Sequence, residues 1–572
     1  MATTQTEPRR EDVIAGNISG KQNRSASDYT QREKLLTMSG VLLVMLLASL
    51  DQTIVDTAMP RIISDLQGFN LYTWVTTAYL LTSTVMVPIY GKLSDIFGRK
   101  PIFLVGVVLF LLGSAASGAS QSMIQLVAFR AFQGIGAAAL MPIAMAVIGD
   151  IFTPRERGRW QGVTGAVFGL SSVLGPAIGG WITDNSSWRW IFYVNIPVGL
   201  LALLVLIFLM PSLHSQRTGK AMIDYVGAVL LIIGTVPFLL GFTWAGSQYA
   251  WLSPQILSLF AAALVFLTAF FLYERRLERN DAQPIIDPSL FKNRIFSVSI
   301  IITAITGMGM FGCIVFLPLY SQGVLGISAT NSGLRLIPLM GGLILSSIIS
   351  GMLVSRFGKY KWIAFTGMII TVGGSLLLQQ LNVNSTTMDL IISMIVLGLG
   401  LGFSMSIYTV IVQNALPQKI GQATSGLTFF RSIGGTVAVA AMGSVLNSSY
   451  IPEFHKALPA AAKAALGSAI NTFDDPNILL SADSQRKVQA GLAQQFGASW
   501  HPLYNQLTEA IKVGLTNGIH NVFVLSTIIM CFAFIALFFL KEIPLSGDRK
   551  SAMRNEGLED AESAMVSMVP FE

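Results

Sequence analysis

GKLSDIFGRK at Gly91–Lys100 and GMLVSRFGKYK at Gly351–Lys361 are two versions of one charged loop, with Gly, Leu, Phe and Gly in the same register. Each loop follows an apolar run. The charged segment two apolar runs further along carries P-x-x-x-G in both places, at Pro154–Gly158 and Pro417–Gly421, after nearly the same number of residues. Two matches at matched spacing predict that the chain contains two copies of one structural unit.

The composition around these loops is that of a membrane protein. Of the 572 residues, 52% are hydrophobic and only 12% are charged, which is about half the charged share of a soluble domain. Fourteen apolar runs are each long enough to cross a hydrocarbon core of ~30 Å at ~1.5 Å per residue. These runs, numbered here as spans 1 to 14, are Leu35–Pro60, Leu71–Tyr90, Pro101–Ala119, Ser122–Ile148, Trp160–Thr183, Trp190–Met210, Tyr225–Trp244, Leu252–Tyr273, Ile295–Tyr320, Ser332–Val354, Trp362–Gln380, Leu390–Val412, Gly421–Leu446 and Gly518–Leu540.

The runs and the repeated loops predict an all-α polytopic membrane fold with fourteen transmembrane helices. Spans 1–6 and 9–14 form two six-helix bundles, and spans 7 and 8 are inserted between them. Two such bundles, related by an axis along the membrane normal, are an established transporter architecture with the substrate site near the midplane. The predicted segments are an N-terminal tail (1–34), the first bundle (35–213), a linker with spans 7 and 8 (214–294), the second bundle (295–540) and a C-terminal tail (541–572).

Basic residues indicate the orientation. Lys and Arg lie almost entirely in one set of short loops, and the opposite set holds only Arg61, Arg189 and Arg335. Basic loops remain cytoplasmic, and an even number of spans puts both ends on one side, so both termini are predicted to be cytoplasmic. The first 34 residues lack the apolar core of a signal peptide, so span 1 is expected to be retained. The loop 447–516 is then external, and its Ala-rich pieces Ala457–Leu466 and Ser484–Phe496 predict surface helices of a cap or a functional lid.

Several chemistries are disfavoured. The net charge of +7 does not indicate nucleic-acid binding, because the basic residues lie in short breaks between spans. Cys313 and Cys531 both fall in apolar runs and the four histidines lack metal-ligand spacing, so we expect no disulfide, metal or cofactor. No G-x-x-x-x-G-K-[ST] phosphate loop occurs, which disfavours use of ATP. No nucleophile motif points to an enzyme, and we expect a monomer.

Intramembrane charges are few. A charge at the bilayer centre costs at least ~2.5 to 3.5 kcal/mol, so its default interpretation is functional, with a partner. Asp51 lies ~13 Å from the outer end of span 1 and Arg130 ~12 Å from the outer end of span 4, so the two should meet at one depth. Gln133 follows on the same helical face and could join them. A carboxylate beside an arginine and a cavity that opens and closes suits proton coupling; the alternative is a permanent ion pair between two helices.

Other residues are candidates for substrate or proton contact. Asp56 lies ~140° around the helix from Asp51, and is either a hydrated helix-end carboxylate or part of the site. Arg431, ~15 Å into span 13, either neutralises a central cavity or pairs with a carbonyl group. Phe403, Met405 and Tyr408 suit apolar ligands, although such residues at helical spacing are more often core.

The loop after span 2 predicts a conformational latch. Here two glycines frame an acid in a tight turn, close to charges at the inner end of span 4. A latch that holds one bundle against the other must break when the protein changes state, whereas a solvated loop would gain under ~1 kcal/mol per pair. The predicted latch consists of Gly91, Asp95, Gly98, Arg99, Asp150 and Arg155.

Span 5 contains GAVFGLSSVLGPAIGG, Gly165 to Gly180. Small residues four apart allow close approach of helices, and Pro176 predicts a kink. A single pair of glycines would be explained by packing, but the pairs Gly165/Gly169 and Gly175/Gly179 on either side of a proline favour a helix that seals a pathway.

With these residues in place, the sequence resembles the major facilitator superfamily, and within it the fourteen-span drug/proton antiporters of the QacA/EmrB type. GKLSDIFGRK is similar to the superfamily loop motif. LVAFRAFQGIGAAA, Leu126–Ala139, is similar to the motif around the proton-linked arginine of span 4, and GLSSVLGPAIGG, Gly169–Gly180, to the antiporter motif of span 5. LDQTIVDTAMP, Leu50–Pro60, resembles the span-1 signature of drug exporters and carries its acid onto Asp51.

Three departures qualify the resemblance. Asp56 occupies a position that is more often Asn or a small residue in relatives, and the extra acid is expected to alter substrate charge preference or proton stoichiometry. Later spans lack the acids that engage dications in some relatives, so dication export is not expected. Ser355 stands where the first loop has Asp95, so only one copy of the latch is expected to be intact.

The resemblance implies secondary active export of small amphiphilic compounds across the cell membrane, coupled to proton entry, by alternating access between the bundles. A bacterial inner membrane is the expected location. The main alternative is an exporter of the same fold for one physiological substrate, such as an antibiotic, siderophore or metabolite. A non-transporting receptor is disfavoured by the span-5 glycines and the buried Asp51/Arg130 pair.

Overall fold

The structure is a computed structural model. It describes residues 29–66, 71–211, 223–246, 248–280, 282–325, 335–474, 482–497 and 500–543. The predicted tails at 1–34 and 541–572 fall almost entirely outside these residues, as does most of the segment between spans 6 and 7.

The predicted all-α fold is confirmed. Among the described residues, fourteen long helices occupy the fourteen predicted spans, and thirteen of them are long and apolar enough to cross a membrane. The exception is span 2, whose helix is Tyr72–Phe97. The spans, in order, are Gln31–Leu66, Tyr72–Phe97, Arg99–Gly118, Met123–Ile151, Pro154–Asn185, Trp190–Leu209 (interrupted at Val194), Tyr225–Trp244, Pro254–Arg279, Arg294–Gly323, Ile337–Phe357, Lys361–Gln379, Thr387–Ala415, Ile420–Ala457 and Trp500–Leu537.

Local sequence explains where several helices begin and end. Ser122 Oγ accepts a hydrogen bond from Gln125 N at the start of span 4, and Thr386 and Asp389 form a capping box at the start of span 12. Gly98 and Gly358 end spans 2 and 10 with φ of 91° and 67°, a conformation that glycine adopts without strain.

Three predicted span ends are wrong. Span 1 does not end at Pro60 but continues to Leu66, because a proline inside a membrane helix is tolerated where neighbours satisfy the freed backbone. Spans 13 and 14 are 38 residues each and extend well beyond the apolar runs. The hydropathy pattern detects only the part of a helix that lies in hydrocarbon.

The duplication is repeated in the packing. Span 4 packs against spans 2 and 3, and span 12 packs in the same way against spans 10 and 11. Span 1 packs against spans 5 and 6, and span 9 against spans 13 and 14. Across the two halves, span 5 packs against span 10 and span 13 against span 2. Each contact in one half thus has its counterpart in the other.

Spans 7 and 8 form a hairpin that packs mainly on itself. Span 7 also contacts spans 2 and 13, one from each half. At the opposite end from the GKLSDIFGRK loop, the helices Ala460–Leu466 and Ala482–Phe496 occupy the two predicted surface helices. They are more than a solvated cap, because Leu466, Phe473 and Leu492 are buried in one hydrophobic cluster with spans 13 and 14.

Candidate functional site

The structure brings Asp51, Arg130 and Gln133 together. Arg130 Nη1 donates to Asp51 Oδ2 at 2.8 Å and to Gln133 Oε1 at 2.8 Å, and Gln133 Nε2 donates to Asp51 Oδ1 at 2.9 Å. The exposed fraction is at most 1% for each of these residues. The three side chains therefore form a closed ring of charge-assisted hydrogen bonds between spans 1 and 4.

Two uncharged residues complete this site and were missed in the sequence. Asn195, just after the break in span 6, donates to Asp51 Oδ1 at 2.8 Å and to Ser114 Oγ of span 3 at 3.0 Å. Ser114 Oγ in turn donates to the carbonyl oxygen of Phe192 at 2.8 Å. A buried asparagine in the otherwise apolar span 6 was the available signal. Asp51 is thus the centre of a polar network across four spans.

The network is enclosed by aromatic rings. The guanidinium carbon of Arg130 lies 4.1 Å from the ring centroid of Tyr79 and 5.8 Å from that of Phe192. Cation–π contact and the carboxylate together stabilise the cation. Protonation of Asp51 would remove its charge and leave Arg130 buried without a counter-ion, which is costly. The arrangement can therefore link the protonation of Asp51 to a rearrangement of spans 1, 3, 4 and 6.

Of the other candidate residues, those whose side chains the structure describes do not join this network. The side chain of Asp56 lies outside what the structure describes. Arg431 is half-buried on span 13 beside Gly307 of span 9. Phe403 and Tyr408 belong to one hydrophobic cluster of the second bundle, and Met405 packs against another. These three therefore occupy core positions.

The predicted latch residues do meet. Arg99 lies between two acids, 2.6 Å from Asp95 Oδ1 and 2.7 Å from Asp150 Oδ2. Arg99 also donates to Ser94 Oγ at 2.7 Å. Gly98, with its positive φ, separates the helix of span 2 from that of span 3 and lets Arg99 turn back toward Asp95.

The latch also reaches the second bundle. Asp95 accepts hydrogen bonds from the backbone N–H groups of Gly421 at 3.2 Å and Gln422 at 2.9 Å, at the start of span 13. A carboxylate at a helix N-terminus pairs with free N–H groups and with the helix dipole. A Cβ on Gly421 would clash with both Asp95 and Arg99, and one on Gly91 would clash with Ser425.

Of the two arginines at the start of span 5, the sequence predicted Arg155 as a latch residue and did not single out Arg157. The side chain of Arg155 is exposed. Arg157 is buried instead and donates from Nε to the carbonyl oxygen of Phe152 at 3.0 Å, near Asp150. The reason is helical phase, because the two residues lie ~200° apart around span 5.

The glycines of span 5 face two different partners. Gly165 and Gly169 lie against Ser347 and Ile344 of span 10, whereas Gly175 lies against Thr53 of span 1. Gly158, earlier in the helix, approaches Gly351 backbone to backbone. The helix runs through Pro176 without interruption, Thr183 Oγ1 donates to the Gly179 carbonyl at 2.6 Å, and a Cβ on Gly180 would meet nothing within 4 Å. The tight contact between the bundles thus lies toward the latch end of span 5.

The sequence matches a known family model and is similar to known proteins. A family model described as Major Facilitator Superfamily matches residues 41–439. The Multidrug transporter protein MdtP of Bacillus subtilis (strain 168) is 38% identical over 560 residues, which cover 95% of this chain and 99% of that protein. Multidrug resistance protein 3 of the same organism is 37% identical over 502 residues, with 88% and 94% covered.

One solved structure has a similar fold. The crystal structure of the human organic anion transporter MFSD10 (TETRAN) aligns with a TM-score of 0.55 and 13% identity, covering 88% of this chain and 100% of that one. At this identity the similarity concerns the fold alone.

Proposed function

The chain belongs to the major facilitator superfamily of membrane transporters, and we propose that it exports small amphiphilic compounds in exchange for protons, by alternating access between its two bundles. The names of the two Bacillus relatives support export of varied compounds. We place the protein in the cell membrane, in a bacterium the inner membrane, with both termini in the cytoplasm.

The observation that carries the proposal is the fully buried Asp51 carboxylate with donors on three side chains, Arg130, Gln133 and Asn195. In this conformation the carboxylate has no exposure to water. A conformation that opens a wet path to Asp51 allows proton uptake, and protonation weakens the hold of Asp51 on spans 4 and 6. Two conformations with different proton affinities are what coupling requires.

The contacts between the bundles supply the second element of alternating access. Asp95 binds the start of span 13, Gly158 meets Gly351, and Gln413 Nε2 of span 12 donates to the Met145 carbonyl of span 4 at 2.9 Å. All three lie toward the latch end. The described conformation is thus closed at the predicted cytoplasmic side, and export requires that these contacts break and re-form.

The experiment is transport by purified protein in proteoliposomes with an imposed pH gradient. Asp51→Asn should abolish gradient-driven transport but retain exchange of labelled for unlabelled substrate, because the amide keeps the shape and loses the titration. Asp65→Asn, an exposed acid on the same span, is the matched control and should behave as wild type. Gradient-driven transport retained by Asp51→Asn would overturn the proton-carrier assignment.

A further inference from the structure

A second pair of carboxylates meets at the latch end of the inserted hairpin, remote in sequence and span from Asp51. Asp224 is the N-cap residue of span 7, and its Oδ1 accepts a hydrogen bond from the Gly227 backbone N–H at 2.7 Å. Glu274 lies near the end of span 8 and is only 1% exposed. A Cβ on Gly227 would clash with both Asp224 Oδ2 and Glu274 Oε1. The two oxygens therefore lie side by side over this glycine.

Among the described residues, no well-formed hydrogen bond satisfies these oxygens. Both oxygens of Glu274 and Oδ2 of Asp224 are buried without one, and the nearby donor to Glu274 is the Ile285 backbone N–H. An ionised carboxylate can only accept, and two adjacent buried carboxylates cannot both stay charged without a large penalty. A proton on Glu274 supplies the missing donor to Asp224 Oδ2. Asp224 remains the charged partner, because it caps the N-terminus of span 7, where a negative charge is favoured.

The surrounding charges fit one proton and not two or none. The described charged group that acts on the pair is the buried Lys92 ammonium of span 2. Tyr273 of span 8 lies near both acids, and Arg276 lies near Tyr273. With one shared proton the pair carries a single negative charge, which the Lys92 ammonium balances. Without the proton, two buried negative charges face Lys92.

The position of the pair connects it to the latch. Lys92 precedes Asp95 by three residues in the same helix, so it lies on the adjacent turn. In the segment after span 8, Asp287 forms an ion pair with Lys419, the N-cap residue of span 13. The inserted segment is therefore linked to both helices that the latch joins, to span 2 through the charge of Lys92 and to span 13 through the ion pair with Lys419.

We propose that Asp224 and Glu274 bind one proton between them, and that this proton holds the hairpin of spans 7 and 8 against Lys92 and thereby stabilises the latch. The site is a regulatory proton site that responds to pH on the latch side of the membrane. Loss of the proton at alkaline pH leaves two adjacent buried carboxylates, and their mutual repulsion and need for water separate the hairpin from span 2 despite the attraction of Lys92. The inference does not depend on export or on a role for Asp51.

Infrared difference spectroscopy of the full chain in lipid, titrated from acid to alkaline pH, tests for the proton. The C=O stretch of one protonated carboxyl should be lost on titration in wild type and be missing in Glu274→Gln. Asp51→Asn and Glu278→Gln should both show the band in acid and its loss at alkaline pH, as wild type does. Glu278 is the matched control, because it lies one turn along the same helix in an exposed pair with Lys292. A spectrum of Glu274→Gln identical to that of wild type would overturn the proposal.

Thiol labelling tests the consequence for the hairpin. In a background with Cys313 and Cys531 replaced by serine, Ala228→Cys reports on the face of span 7 that packs against the first bundle. The rates to compare are those with Glu274 and with Glu274→Gln at the same pH. Because the amide mimics the protonated acid, only the protein with Glu274 should open at alkaline pH, and the ratio of its rate to that of the variant should rise severalfold. The division cancels ionisation of the thiol itself. A ratio that stays constant with pH would sink the idea that this proton holds the hairpin.

Discussion

The carboxylate of Asp95 caps a helix of the opposite bundle, since its Oδ1 accepts a hydrogen bond from the backbone N–H of Gly421 at 3.2 Å. The same oxygen lies 2.6 Å from Arg99 Nη1. One atom thus joins the first bundle's internal charge cluster to the start of span 13. Breaking the contact between the bundles means removing a negative charge from a helix N-terminus.

Asp95→Asn should slow turnover by about fivefold, since a charge at a helix N-terminus contributes on the order of 1 kcal/mol. Substrate affinity should change by less than about twofold, because the latch is remote from Asp51. Initial transport rates and equilibrium substrate binding measure the two effects separately. Lost affinity with an unchanged rate would show that Asp95 is not a latch residue.

Gly158→Ala should impair transport strongly. A Cβ at this position would lie 2.6 Å from the Gly351 carbonyl oxygen, and backbone cannot move aside unless span 5 separates from span 10. Overpacking of this kind costs about 1–3 kcal/mol. Here it destabilises the conformation that is closed at the latch end. Gly180→Ala on the same helix, where a Cβ meets nothing within 4 Å, should transport as wild type. Equal activity of the two variants would contradict the close contact.

Asn195→Ala should slow gradient-driven transport by about tenfold. The substitution removes a hydrogen bond to the buried Asp51 carboxylate that is worth roughly 1.5 kcal/mol, and so weakens the network between spans 1 and 6. Ser114→Ala, which removes a partner of Asn195 and leaves the Asp51 contacts in place, should give a smaller loss. Initial rates at a constant pH gradient provide the measurement, and equal rates for all three proteins would exclude Asn195 from the proton site.

The sequence was sufficient for part of this site and not for the rest. Asp51 and Arg130 could be paired because helical rise converts residue number into depth, and charges in apolar runs are conspicuous. Asn195 is uncharged, so the cost of a charge in the membrane did not draw attention to it. Its contact with Asp51 joins residues far apart in sequence, and helical periodicity predicts no such contact. Glu274 was missed because it directly follows an apolar run. It is the first residue of the segment ERRLER, which has the charge pattern of a solvated helix end.

The fold was similarly predictable where hydrophobicity decides it. Fourteen apolar runs gave fourteen helices, since each run must satisfy its backbone internally in lipid. The packed cap around Leu466 and Phe473 was not predictable, because it combines extensions of spans 13 and 14 with short helices that are far apart in sequence.

The ion pair of Asp287 with Lys419 predicts a pH-dependent stability. Burial alone would raise the pKa of Asp287, but hydrogen bonds from Lys419 and Ser289 outweigh burial and hold the pKa below its ordinary value. The stabilisation is therefore present above the unfolded pKa of ~3.9 and is lost as pH falls through the lower folded value. Asp287→Asn should lower the melting temperature at neutral pH, with the difference shrinking in acid. Glu278→Gln, in an exposed pair, should change little, and a difference for Asp287→Asn that grows in acid would contradict the assignment.

Arg431 should set the charge preference of the substrate. Within the described part of the chain its guanidinium makes no ion pair or hydrogen bond, and it is half-buried near mid-depth in span 13. Membrane-embedded charges face the bundle interior or a water-filled cavity, and we expect Arg431 to face the substrate cavity. The apolar runs of the later spans contain no acid to balance it. We therefore expect lipophilic monocations or neutral amphiphiles to compete for transport better than rigid dications of similar size.

Two unit charges ~10 Å apart at an effective dielectric constant of ~20 repel each other by ~1.7 kcal/mol. Each positive charge on the substrate therefore weakens its binding by a factor on the order of ten. Arg431→Gln should therefore improve transport of a dication about tenfold more than that of its monovalent analogue, and leave a neutral analogue unchanged. Arg335→Gln, which removes a partly exposed arginine bound to Thr387, should leave transport of all three compounds unchanged. If wild type prefers dications and Asp56→Asn removes that preference, then Asp56 faces the cavity and governs selectivity in place of Arg431.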